Sequence, residues 1–151
     1  MAMTPLRLFR ALAITEAITW TLLIGAIILR AITGITLGVS IAGGIHGFVF
    51  LAFGATAVLV AINQRWNPAV AALAIGSAVV PYATIPAELW LVRSGRLDGI
   101  WRREATKDPR DQVWIDRLAR WFIRHPALLV TLIAAAVVGL FVLLLRLDPH
   151  A

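Results

Sequence analysis

The sequence predicts an all-α protein, a polytopic transmembrane helical bundle with about four membrane spans and one amphipathic helix at the membrane interface. Three observations carry that expectation. Hydrophobic residues make up 60% of the 151 residues and charged residues only 15%, against roughly 45–50% and 25% in an average soluble domain. A soluble chain this short leaves too much of its surface exposed to hide such a composition. The apolar residues also gather into runs of about 20, the length a helix needs to cross a bilayer core. Finally, the basic residues flank those runs or face away from a tryptophan-bearing helix stripe.

The first run extends from about Leu8 to Leu29. It follows Arg7 and Arg10 as a signal peptide would, but it is too long for a signal h-region and Glu16 interrupts it. A retained helix is expected. A second apolar region, about Ile32 to Ile62, exceeds one untilted span. Two arrangements fit it: one long tilted helix, or a turn followed by a helix from about Ala42. Gly34, Gly38, Gly43 and Gly47 form two Gly-x-x-x-Gly pairs that permit close helix approach, although ordinary glycine enrichment in membrane helices gives the same pattern. The polar segment Asn63-Gln-Arg-Trp-Asn-Pro68 is a turn, and Pro68 suits a first helical position. A third span runs from about Ala69 to Val92, and Pro81 and Pro86 should kink or unwind its second half.

From Arg93 to Arg124 the chain is polar, with nine of the 14 basic residues. Within it, 110–124 has the period of an amphipathic helix, with Trp114, Ile115, Leu118, Trp121 and Phe122 on one arc and Arg117, Arg120 and Arg124 opposite. Such a helix lies in the headgroup plane; packing on its own protein is the alternative. Pro126 then opens a last apolar run closed by Arg146. The expected division is a three-span unit (1–92), a basic loop (93–124) and an anchor (125–151).

The net charge of +6 points to anionic lipid headgroups and topology control, because the basic residues form no separate arm for nucleic acid. With four spans, the basic loop and Arg30 share one side, expected to be cytoplasmic, and both termini lie outside. Thirteen of the 14 basic residues are Arg and Ala is abundant, a bias that suggests a GC-rich bacterial genome; the expected location is the bacterial cytoplasmic membrane.

Ionisable groups within spans are costly and point to function. Arg10, Glu16, His46 and Glu88 form the expected buried polar site. Glu16 lies near the middle of the first span and must be protonated or paired; His46 is its expected partner, with a carbonyl-bonded histidine as the plain alternative. Glu88 is expected to pair with Arg30 or Arg93. No metal or cofactor is expected, since His125 and His150 stand at no ligand spacing to His46 and cysteine is absent. No Gly-x-Ser-x-Gly, His-Glu-x-x-His or P-loop occurs.

Phe9-Arg10-x-x-Ala13-x-x-Glu16-Ala17-x-Thr19, then Gly44-x-His46-Gly47-x-x-Phe50, then Pro81-Tyr82-Ala83-Thr84 with Glu88, together resemble a family of small bacterial integral membrane proteins catalogued as domain of unknown function 3817. The resemblance spans Leu6 to Val92. It implies a three-span unit in which Arg10, Glu16, His46 and Glu88 are pattern positions, and implies no activity. The family pattern has Tyr where this chain has Phe53, and more often Phe at Tyr82. Two functions are weighed: a non-enzymatic accessory or assembly subunit, with a membrane-protein partner or a second copy; and a small oligomeric, proton-coupled carrier using Glu16 and His46.

Overall fold

The computed structural model describes residues 3–147; His150 lies outside them. The protein is all-α, with six α-helices among the described residues. Three of these are long and apolar enough to cross a membrane: α1 (Pro5–Thr33), α2 (Leu37–Asn63) and the apolar part of α6 (Pro126–Leu147). Between them lie α3 (Pro68–Gly76), α4 (Thr84–Arg93) and α5 (Trp114–Arg124).

Local chemistry sets these limits. Thr4 caps α1 by accepting from the Arg7 amide at 3.2 Å, with Pro5 at the first helical position. Gly34 ends α1 in the left-handed region (φ 76°), its N–H returning to the Arg30 carbonyl, the usual glycine stop. Only Gly34 to Thr36 separates α1 from α2, so the second apolar region is the long helix, and the start near Ala42 is not adopted. Asn67 caps α3 through Val70 N at 2.9 Å, with Pro68 again at the first position.

The third expected span is replaced by a helical hairpin. α3 tightens into a 3-10 turn at Ser77–Val79, Val80 becomes extended (φ −101°, ψ 124°), and α4 starts at Thr84. Pro81 is the cause, because its ring excludes the preceding residue from the helical region. Tyr82 completes the turn with a φ of 65°. Pro86 kinks nothing: it occupies the first turn of α4, where its missing N–H would have had no helical acceptor.

Both arms of the hairpin begin and end at one end of the bundle. The Trp66 indole N–H, just before α3, donates to the Arg96 carbonyl, just after α4, at 2.8 Å. The tip reaches only the middle of α1, where Trp20 Nε1 donates to the Ala78 carbonyl and the Thr21 and Tyr82 hydroxyls lie 3.3 Å apart. The N-terminus shares that end, since the Trp101 indole donates to the Met3 carbonyl at 2.9 Å. The expected arrangement, with the N-terminus and the 93–124 loop on opposite sides, is therefore corrected. With the hairpin returning where it entered, three long apolar helices are left as candidate membrane spans.

The core lies between α1, α2 and the hairpin. Phe9, Ala13, Phe53, Ala57, Val60, Ala74 and Leu91 are fully buried there, and the Phe9 and Phe53 rings sit 5.1 Å apart. α5 starts at Trp114, after a separate 3-10 turn (Pro109–Gln112), and not at residue 110. Its apolar stripe is exposed, Trp114 by 69% and Trp121 by 44%. A Cβ at Gly38 would meet Ala26 at 3.8 Å, but one at Gly34, Gly43 or Gly47 would meet nothing within 4 Å.

Candidate functional site

Glu16 is fully buried at the level where α1, α2 and the hairpin tip meet. The Thr84 hydroxyl lies 3.0 Å from the Ala13 carbonyl and 3.3 Å from Glu16 Oε2, its one proton shared between the two acceptors. Glu16 Oε1 is buried with no hydrogen-bond partner among the described residues. The Trp20 indole, committed to the Ala78 carbonyl, lies close enough to interact with the carboxyl.

His46 is brought to the same level but not to the carboxylate. Its Nδ1 is 3.0 Å from the Thr19 hydroxyl, which donates to the Glu16 backbone carbonyl at 2.9 Å. With the threonine proton spent on that carbonyl, His46 Nδ1 carries the proton and donates to Thr19 Oγ1. Trp20 packs on the imidazole with ring centroids 4.5 Å apart. Thr19 and Trp20 thus stand between the two expected partners, and the pairing of Glu16 with His46 is corrected to a connection through Thr19.

One turn toward the basic end, Arg10 Nε donates to Glu88 Oε1 at 2.7 Å. This replaces the expected pairing of Glu88 with Arg30 or Arg93. The register explains it: α4 runs antiparallel to α1, so Thr84 meets Ala13 and Glu16 while Glu88, one turn on, meets Arg10. Glu88 is almost fully covered, whereas the Arg10 side chain is 47% exposed. The four expected residues therefore lie on one polar seam in two separate pieces.

A second polar cluster at the basic end was not foreseen. Asp111 is fully buried and accepts from Thr106 through both the amide (2.7 Å) and the hydroxyl (2.6 Å), from Arg65 at 2.9 Å and from Arg102 at 2.6 Å. Arg102 also closes the C-terminus of α2, donating to the Ile62 carbonyl at 2.6 Å and the Asn63 carbonyl at 2.8 Å, where a cation is favoured. The Thr106 bonds, then the arginines, hold the Asp111 carboxyl well below the usual carboxylate range. Arg110 and then Arg65 do the same for Asp108, and the Asp108 bond raises Arg65 further above its ordinary value. The one sequence signal was five acids among the nine basic residues of the loop, too many for a purely lipid-facing segment.

The arginines expected to face headgroups divide. Arg120 is buried and donates to the Asp111 backbone carbonyl, a correction caused by the inward turn at Pro109–Gln112. Arg124 donates to the Arg103 carbonyl at 2.8 Å, and Arg117, which is exposed, to Gln112 at 3.2 Å.

The large cavities lie away from Glu16. Two, of about 410 and 480 Å³, run between the first half of α2 (Ser40, Gly43, Gly44, Gly47) and the far half of α6 (Val137, Phe141). A third, about 390 Å³, continues them past Gly54 and Ile133. The glycine face of α2 thus opens on an apolar groove. Among the described residues no three His, Cys, Asp or Glu side chains gather as metal ligands.

Residues 6–93 match the family model described as "Domain of unknown function (DUF3817)". A Streptomyces coelicolor protein named as a putative membrane protein is 40% identical over 106 residues, which is 69% of this chain and 12% of that relative. The chain thus aligns with only a small part of the relative's length. No solved structure matches. The matched segment takes in α1, α2 and the whole hairpin, and with it Arg10, Glu16, His46 and Glu88: the chain belongs to the DUF3817 family of membrane proteins.

Proposed function

We infer that the protein is a non-enzymatic accessory or assembly subunit of a larger membrane complex. The observation that carries this reading is the groove on α2. Gly43, Gly44, Gly47 and Gly54 open on free space, and from Leu37 to Ala55 the groove runs about 27 Å at 1.5 Å per residue, close to the hydrocarbon thickness. Helix association in lipid depends on close backbone approach, and this surface offers it to a partner helix. In the Streptomyces coelicolor relative the matching stretch is 12% of the length, which is compatible with a unit that works as one part of a larger membrane protein. The test is purification from native membranes in mild detergent. A membrane protein should co-purify and be lost in Gly47→Leu; a chain that runs alone overturns the reading.

A second reading, a proton-coupled carrier, is favoured by one observation, the unpartnered Glu16 Oε1 in a buried site. Reconstituted flux abolished by Glu16→Gln supports it, and equal flux in the mutant removes it.

Both readings share one topology in the bacterial cytoplasmic membrane. The hairpin is re-entrant, entering from the basic end and returning to it. Twelve basic residues then lie at that end (Arg7, Arg10, Arg65 and the nine of 93–124), with Arg30 and Arg146 at the other. The excess makes the basic end cytoplasmic, with the N-terminus inside and α6 ending outside. The chain has no cysteine, so single cysteines report side directly. Met3→Cys and Ile100→Cys should both resist an impermeant reagent in whole cells while Ile35→Cys reacts; labelling at either of the first two refutes the topology.

A further inference from the structure

We propose that a single anionic phospholipid binds in the wedge between α1, α2 and the α5–α6 corner, its phosphate held by Arg103 and one acyl chain inserted beneath α5. This site is distinct from the α2 groove, with which it shares no lining residue.

The wedge is a cavity of about 290 Å³, near the lower end of small-ligand sites at roughly 300–1,000 Å³. Its walls are Leu8 of α1, Thr56 and Leu59 of α2, and Phe122 and Leu129 of the corner, with Arg103 also on the lining. The walls are what an acyl chain requires, and they end at a cation.

The depth fits as well. The wedge opens at the basic end, beside Trp101, whose indole is tied to the Met3 carbonyl; tryptophan marks the headgroup level. Arg103 is exposed on the lining, and its backbone carbonyl is held by Arg124 at 2.8 Å, which fixes the loop that carries the cation. Guanidinium pairs with phosphate through parallel N–H donors. Zwitterionic lipids offer the same phosphate with its charge offset, so preference for a net anionic head is the signature of this site.

The packing gives such a lipid a role. Along α6, Ile133 is the one buried residue among those described, so the last helix is held to the bundle by little protein. A chain filling the wedge would bridge α1 and α2 to the α5–α6 corner.

Full-length protein stripped of lipid in detergent, then titrated with phosphatidylglycerol or with phosphatidylcholine of the same acyl chains and read by native mass spectrometry, tests this. One phosphatidylglycerol should be retained in preference to phosphatidylcholine by roughly fivefold, the contribution of one arginine facing an anionic lipid. Arg103→Gln should erase most of that preference. Leu59→Trp should lower retention of both lipids by filling the cavity, and Thr56→Phe fills it independently should the first variant not fold. Arg30→Gln, at the opposite end, should bind like the wild type. Equal retention of the two lipids by the wild type overturns the proposal, as does wild-type retention in a folded, cavity-filled variant.

Discussion

The family-matched segment and the chain after it are held by different means. In the first, α1, α2 and the hairpin interlock: Phe9 meets Phe53 and Trp66, Thr84 reaches across to Ala13 and Glu16, and Arg10 closes on Glu88. In the second, α5 presents its tryptophans outward and α6 buries Ile133 alone among its described residues. What anchors this region is polar, the Asp111 cluster that ties the loop and α5 to the 63–67 turn. In lipid no hydrophobic force draws helices together, so the first segment coheres by interdigitated packing and buried hydrogen bonds. The second relies on charge at the membrane surface, where partial solvation makes ion pairs cheaper to form.

Variants can break or sharpen this contrast. The largest effect is expected for Asp111→Ala, which removes the acceptor that Arg65 and Arg102 share and frees Thr106; the 98–113 loop should become protease-sensitive, with the steepest fall in melting temperature of the set. Phe53→Ala leaves a cavity at the centre of the first segment and should cost about 3 kcal/mol, read by thermal unfolding in detergent with the loop still protected. Glu88→Gln breaks a pair whose arginine is half exposed, and should cost no more than about 1 kcal/mol. Ile133→Ala should be smallest, well under the roughly 2–5 kcal/mol of a typical core truncation, because α6 has little packing to lose; a loss matching that of Phe53→Ala would erase the contrast.

Acid should separate the two regions too. Asp108 and Asp111 have folded-state pKa values below the ordinary 3.8. Their contribution is complete above that value and is lost as pH falls through the lower, folded one. Between pH 7 and 5 the loop should keep its protease resistance, and lowering the pH beneath about 3.8 should open it before the helical signal of the first segment declines. Loss of protection already at pH 6 would contradict the assignment of the cluster as the anchor.

Much of the site was legible residue by residue. An acid at mid-span had to be sheltered, and Glu16 is; His46 lies at its level; Glu88 is paired. The identities of the partners were not legible. Choosing between Arg10 and Arg93 for Glu88 required knowing that α4 runs back along α1, and that depends on where the third apolar stretch ends. Asp111 was overlooked because a buried acid in a polar loop has no periodic signature; its burial comes from Arg65, some 46 residues earlier.

The sequence by itself determined the membrane class, the helices and their caps, because composition, apolar length and residues such as Thr4, Pro5, Gly34, Asn67 and Pro68 act within a turn or two of the chain. It also marked the break at Pro81, since a proline restricts its neighbour wherever it stands. Only the tertiary structure decided that the break reverses the chain instead of bending it. A kinked span and a re-entrant hairpin have nearly the same local sequence. They differ in whether Thr84 bonds to Ala13 and Glu16 and whether Trp66 meets Arg96, long-range bonds that no local pattern encodes, and with the Trp101 bond to Met3 they set the N-terminus and the 93–124 loop at one end of the bundle.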